Sequence, residues 1–383
     1  MDVLAKLATI KDRTFKSRDE WDKWLDESQI DVNIRKRVTD ASSHPINTKD
    51  GSLSGGYPSG KLAPDTLGED AVYCLNAADG KIVWKHVGWR GSHTLWVGSC
   101  TPCVANGRVY VLRNDGWTYC LNAQDGTEIW TVRHNTTSHG GNDGHSSLVV
   151  VDGLAIVQDG PLVALDATTG AVVWKQEAQP TGDNTPAPWV KNGKTYLICN
   201  SQPKMTASCV DARTGNILWT VPGGYWCSPA VSGDVMVTYT GKKLLCYRMG
   251  LDKAELLWEA KCHCDHYNSA CPLIHGNRVY QTEQGRISCF NLEDGMVIWE
   301  GKTASDDWGS PVWVDEKLVI TTGNSLSLLN AASDKFELLA QVNMPGLVEY
   351  PIPAIANGRL YLRFRDGIRC YDVTHAMPSI NGK

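Results

Sequence analysis

A thirteen-residue phrase that ends in tryptophan and returns every 39 to 46 residues, with a glycine four places before the tryptophan, predicts an all-β protein, a β-propeller of four-stranded blades. The phrase runs from Val72 to Trp84 and comes back, edited, at Trp130, Trp174, Trp219 and Trp299, with Trp258 falling between the last two. A repeat of this length is one supersecondary unit that cannot bury its own apolar faces and must stack on neighbours.

Each unit reads as two hairpins. The outer one is seen in Leu162 to Trp174, where alternating apolar residues flank a turn at Gly170. Gly80, Gly126, Gly215 and Gly295 hold the same place. The inner hairpin has Asn106-Gly107, Asp152-Gly153, Asn192-Gly193, Ser232-Gly233 or Asn357-Gly358 at its apex, pairs suited to a tight turn with positive φ. The terminal tryptophans are read as packing surface between blades. Fifteen Trp against four Phe, in a chain 42% hydrophobic, suit thin cores between stacked sheets.

Inner hairpins begin near Ser99, His145, Thr185, Cys227, Ser269, Ser310 and Pro351, whereas third strands begin near Val72, Trp117, Leu162, Ala207, Leu244, Ile287, Ser325 and Ile368. The first blade therefore lacks its inner half, and the last lacks its outermost strand after Val373. An eight-bladed plan with an incomplete first blade is expected, and seven blades are the alternative. Residues 71–383 are assigned to the propeller. Residues 1–40 are assigned to a short helical extension, because Ser17 to Glu20 has the form of a capping box and Trp21, Trp24 and Leu25 follow at helical spacing. Residues 41–70, rich in Ser, Gly, Pro and Lys, read as a linker or a remnant of the first blade.

Met1 to Asp12 contains no long apolar stretch, so no secretory leader is expected there, and no run of about 20 apolar residues marks a membrane helix. Net charge of −5 excludes nucleic acid as the main partner. Most of the thirteen cysteines stand at strand positions, as do Cys74, Cys120, Cys209, Cys246, Cys289 and Cys370, and read as small buried hydrophobes. Cys100 and Cys103 have redox-motif spacing, but residues three apart on a strand face opposite ways, so they are expected to be inert.

The Ala-x-x-Gly-x-x-x-Trp core of the phrase, at Ala77 to Trp84, Ala123 to Trp130, Ala167 to Trp174 and Ala212 to Trp219, resembles the repeat of the pyrroloquinoline-quinone-like (PQQ-like) propeller superfamily, over residues from about 71 to 373. That superfamily includes quinoprotein dehydrogenases and BamB-like proteins, so the resemblance speaks to fold more than to function. It implies a periplasmic or extracytoplasmic setting.

Function is expected on the rim opposite the tight turns, where connections vary in length. The candidate ligand-binding residues there are His139, His145, Trp226, His266, Asp307, Trp308 and Glu349. His139, His145, Cys264 and His266 are the weak candidates for a metal, since their spacing matches no zinc signature and solvated polar residues are the default reading. PQQ with calcium would need cations, a tryptophan floor, a Glu and Asn calcium pair and an Asp base. Arg90, Arg113, Lys204, Arg286 and Arg365 could supply charge, and Trp226 and Trp308 a floor. Against it, the vicinal Cys-Cys pair of membrane-linked and methanol-type quinoproteins is absent. The expectation is a non-catalytic, monomeric binding or scaffolding propeller for a protein or carbohydrate partner, with a PQQ- or metal-dependent oxidoreductase as the alternative.

Overall fold

The structure is a computed structural model. It describes residues 68–92, 100–112, 117–134, 146–181, 184–201, 203–225, 227–262, 270–283, 285–305, 309–347, 352–364 and 366–374. The expected helix within residues 1–40 and the linker up to residue 67 lie outside this set. Among the described residues no helix is long and apolar enough to cross a membrane.

Among the described residues the regular structure is strand. An opening hairpin comprises β1 (Gly68–Leu75) and β2 (Ile82–Ser92). Six four-stranded antiparallel sheets follow, each built in chain order from the innermost strand outward. They are β3 to β6 (Cys103–Ala105, Arg108–Leu112, Trp117–Asn122, Glu128–Arg133), β7 to β10 (Val149–Val151, Leu154–Gln158, Gly160–Asp166, Val172–Thr181) and β11 to β14 (Ala187–Lys191, Lys194–Ser201, Thr206–Asp211, Ile217–Pro222). Next come β15 to β18 (Ala230–Ser232, Val235–Tyr239, Lys243–Met249, Ala254–Lys261), β19 to β22 (Leu273–His275, Arg278–Glu283, Arg286–Asn291, Val297–Lys302) and β23 to β26 (Val312–Val314, Lys317–Thr322, Ser325–Asn330, Leu338–Asn343). A three-stranded sheet closes the series with β27 (Ala354–Ala356), β28 (Arg359–Phe364) and β29 (Gly367–Asp372). The fold has seven blades, the alternative and not the eight-bladed plan, because among the described residues β1 and β2 pair only with each other; the imbalance of half-repeats is present, since the last blade has no fourth strand there and the opening hairpin no inner partner.

The repeated phrase is explained residue by residue. The Asn or Asp that opens it accepts the backbone N–H two places on, as Asn76 does from Ala78, Asn122 from Gln124 and Asn291 from Glu293, and so shapes the turn. The alanine carbonyl that follows takes the indole N–H of the preceding unit's tryptophan: Trp84 Nε1 donates to Ala123 O at 3.0 Å and Trp130 Nε1 to Ala167 O at 3.3 Å. The glycine has φ of +74° at Gly126 and +77° at Gly170, and its bare Cα lies under that same indole.

Where the phrase decays, other groups take over. Trp219 donates to Gly250 O and Trp299 to Ser333 O, and the ring of Phe336 lies edge-on to Trp299 with centroids 5.9 Å apart. An arginine and tyrosine at the start of the second strand also grip the next unit's turn. Arg108 donates to the carbonyls of Ala167 and Thr168 and Tyr110 to Ala167, while Arg278 donates to Ser333 and Ala332 and Tyr280 to Ala331.

The chain divides into two compact units, Met1–Thr185 with Ala212–Asn216, and Pro186–Asp211 with Ile217–Lys383. In the first, Tyr110, Cys120, Trp130, Val157 and Leu165 belong to one buried cluster. In the second, Trp189, Ile198, Trp219 and Met236 form one cluster, and Val237, Tyr239, Trp258 and Phe290 another.

Candidate functional site

Within every blade the two tight turns lie at one end, and the approach to the innermost strand lies at the other, beside the connection between the second and third strands. At that second end, a hydroxyl stands two residues ahead of five of the innermost strands, Thr101, Ser147, Thr185, Ser228 and Ser310, and proline follows four of them and holds them in extended backbone. In the first unit, the backbone N–H of Thr101 donates to Ser147 Oγ at 2.8 Å and that of Ser147 to Thr185 Oγ1 at 2.9 Å. The lead into β3 is thereby tied to the lead into β7.

The same unit holds a buried polar chain. Thr118 Oγ1 lies 3.1 Å from His134 Nδ1, and His134 Nε2 lies 3.2 Å from Asp159 Oδ2, with the His and Asp side chains inaccessible to solvent. The order hydroxyl, imidazole, carboxylate is that of a nucleophile with its base, but Thr118 is as buried as the rest and no substrate can reach it. It acts as a brace that joins the end of β6 to β5 and to the lead into β9.

In the second unit the lacing takes a different form. Cys271 stands where the other approaches carry Ser or Thr. Its backbone N–H donates to Ser310 Oγ at 3.0 Å. Hydrogen bonding toward its thiolate, from Cys227 foremost and then from Ser228 and Ser310, outweighs burial and holds the thiol down at about 6. Burial does the opposite elsewhere, pushing Cys209 and Cys246 up to about 12 and Cys289 to about 11. Beneath this cluster, Asn200 Nδ2 donates to Cys227 O at 2.7 Å, Thr238 Oγ1 donates to Asn200 Oδ1, and Gln281 Nε2 donates to Ala270 O.

The sequence carries a signal for this lacing that composition and spacing rules overlook: Thr101-Pro102, Thr185-Pro186, Ser228-Pro229, Cys271-Pro272 and Ser310-Pro311 stand at equivalent positions. Cys100 and Cys103 need a correction of reasoning. Cys100 lies ahead of β3, not on it, so strand alternation does not separate them, and both lean on the same apolar cluster.

The residues singled out as a ligand rim, His139, His145, Trp226, His266, Asp307, Trp308 and Glu349, and the metal candidate Cys264, all lie outside the described residues. Among the described residues no three His, Cys, Asp or Glu side chains gather as metal ligands would. Arg113 and Arg365 also lie outside, and Arg90 is described only as part of β2. Lys204 and Arg286 are exposed and belong to two blades that have β15 to β18 between them. At the turn-bearing end, a cavity of about 450 Å³ opens where β19 to β22 meet β23 to β26, lined by His275, Arg278, Tyr280, Trp313, Glu316 and Asp334. His275 stacks on Trp313 with centroids 3.7 Å apart.

These features define a repeat propeller whose blades are joined by tryptophan and turn, with its irregular connections gathered at the ends opposite the turns. The chain belongs to the family whose model is described as outer membrane protein assembly factor BamB, matched over residues 35–248 and 203–345. It is 27% identical over 265 residues to BamB of Yersinia pestis, covering 65% of this chain and 64% of that one, and 23% identical over 315 residues to the tetrathionate hydrolase of Acidithiobacillus ferrooxidans, covering 76% and 53%. The chain therefore spans between about half and two thirds of the length of these relatives. Among solved structures, BamB of Moraxella catarrhalis superposes with a TM-score of 0.60 at 16% identity, covering 82% of this chain and 99% of that one. A quinohemoprotein alcohol dehydrogenase of Pseudomonas putida HK5 gives 0.56 at 14%, covering 78% and 67%. At such identities the structural likeness concerns the fold.

Proposed function

We propose that this chain is a non-catalytic scaffold that binds a polypeptide partner through the end of the blades opposite the tight turns, in an extracytoplasmic compartment. The observation that carries this reading is the family match to an outer membrane protein assembly factor over most of the repeat region. The arrangement of hydrogen bonds supports the choice of face: the leads into the innermost strands are laced by Ser147, Thr185 and Ser310, so the connections above them spring from a braced base. The partner surface includes Trp226, Trp308, His145, His266, Asp307 and Glu349, aromatic and polar groups of the kind that grip polypeptide loops.

The test is affinity capture with the purified chain, compared across variants. Trp308→Ala combined with Glu349→Lys should abolish capture of a partner retained by the wild type and by Asn192→Lys, which alters only a tight turn. Equal retention by all three would place the binding face elsewhere. In parallel, calorimetric titration with PQQ, with and without calcium, should show no heat of binding; micromolar affinity would replace the scaffold reading with a quinoprotein dehydrogenase.

A further inference from the structure

We propose that Cys227 and Cys271 form a thiol–disulfide exchange site in the second unit, in which Cys271 attacks a small-molecule disulfide and Cys227 resolves the mixed disulfide. The two residues lie 44 positions apart and come together because each leads into the innermost strand of its blade, Cys227 into β15 and Cys271 into β19, and these strands are neighbours. Cys271 packs against the buried cluster that contains Cys227, Tyr225 and Tyr239.

Three further observations bear on the pair. First, both backbones are pinned: the Cys227 carbonyl by the buried Asn200 amide at 2.7 Å, and the Cys271 N–H by Ser310 at 3.0 Å. A preorganised pair needs little rearrangement to bond. Second, access is unequal, since Cys271 is partly exposed and Cys227 is buried at 1%. The outer sulfur meets the reagent, and the inner one meets only its neighbour. Third, Cys271 alone among the affected described cysteines has its thiolate favoured, through donors aimed at the sulfur; the cysteines on strand faces, Cys120, Cys199, Cys209, Cys246 and Cys289, have it disfavoured by burial.

The chemistry balances within the pair and one co-reactant, a low-molecular-weight disulfide. Cys271 thiolate forms a bond to one sulfur of the reagent, whose S–S bond breaks and releases the first small thiolate. Cys227 then gives up its proton and bonds to Cys271 sulfur, and the second small thiolate leaves. Two protein thiols are oxidised by two electrons, and one small disulfide is reduced to two thiols. The product would be a covalent link between the innermost strands of two adjacent blades.

The experiment is to treat the reduced full-length chain with glutathione disulfide, block remaining thiols by alkylation and map the peptides by mass. The wild type should yield a Cys227–Cys271 disulfide, Cys227→Ser should stop at a glutathione adduct on Cys271, and Cys271→Ser should yield neither. Because serine stands at Ser147, Ser228 and Ser310, the sites equivalent to Cys271, and at Ser146, one equivalent to Cys227, both variants should melt within a few degrees of the wild type. Alkylation of Cys271 in Cys227→Ala, which removes the donor, should need higher pH than in the wild type, where the rate should rise with a midpoint near 6. A persistent adduct in the wild type, pairing of Cys271 with Cys264, an unreactive Cys271, or the same alkylation profile in both proteins would each overturn the proposal.

Discussion

The indole of Trp84 covers the α-carbon of Gly126, so closely that a Cβ built on the glycine would stand 2.5 Å from Trp84 Cε3. The same relation joins Trp130 to Gly170 at 2.8 Å and Trp258 to Gly295 at 2.5 Å, whereas a Cβ on Gly80 meets nothing within 4 Å. One glycine position thus serves two purposes, and the first member of the series serves only one.

Gly80→Ala should destabilise by about 1–2 kcal/mol, the cost of left-handed backbone for a residue with a Cβ. Gly126→Ala carries that cost plus about 1–3 kcal/mol for overpacking against the indole. Denaturant midpoints of the two variants measure the difference; equal shifts would mean that the ring moves aside freely.

Trp130→Ala removes a buried side chain and a hydrogen bond to Ala167 together, and should cost about 3–5 kcal/mol. Trp130→Phe keeps most of the apolar surface but leaves Ala167 O with only Tyr110 and Arg108, so its loss should be clearly smaller. Chemical denaturation of both variants apportions packing and hydrogen bonding.

Arg278→Lys replaces a planar fork by a point charge. The fork reaches Ser333 O at 2.6 Å, Ala332 O at 3.2 Å and Asp334 Oδ1 at 2.6 Å, and lysine cannot reproduce these bonds together. A loss of about 1–3 kcal/mol is expected, with the cavity beside His275 and Trp313 opening further. Hydrogen exchange at the turn of residues 331–336 should quicken in the variant and stay unchanged in Arg369→Lys.

Lys191 and Trp189 both donate to Asp234, and the Lys191 bond first of all holds its carboxyl below the ordinary value. A carboxyl depressed in the folded state stabilises fully above its unfolded value of about 3.9, and the benefit fades as pH falls through the folded value. Asp234→Asn should therefore melt below the wild type at pH 6 and with it at pH 2. A gap that persists in acid would assign the effect to packing around Trp189.

Much of the blade plan was legible because its determinants are local. Asn106-Gly107 specifies its turn from two adjacent residues, both with positive φ, and Val72 to Trp84 displays alternation, turn and tryptophan within one window. The count of seven inner hairpins and eight third strands could be read directly for the same reason. The ligand rim was less legible. His139, His145 and Glu349 stand in connections of irregular length, where no period ties a residue to a position.

By itself the sequence determined the fold class, the repeat, the place of each turn and the tryptophan that ends most repeats, since hydrophobic alternation and turn chemistry act between residues a few places apart; it left eight blades and seven both open. Only the tertiary structure decided why Gly126 must lack a side chain, which carbonyl receives each indole, that Thr118, His134 and Asp159 form one buried chain, and that Cys271 packs against the cluster of Cys227. Those relations join residues up to 44 positions apart, whose encounter depends on how neighbouring sheets stack, and no local rule encodes that distance.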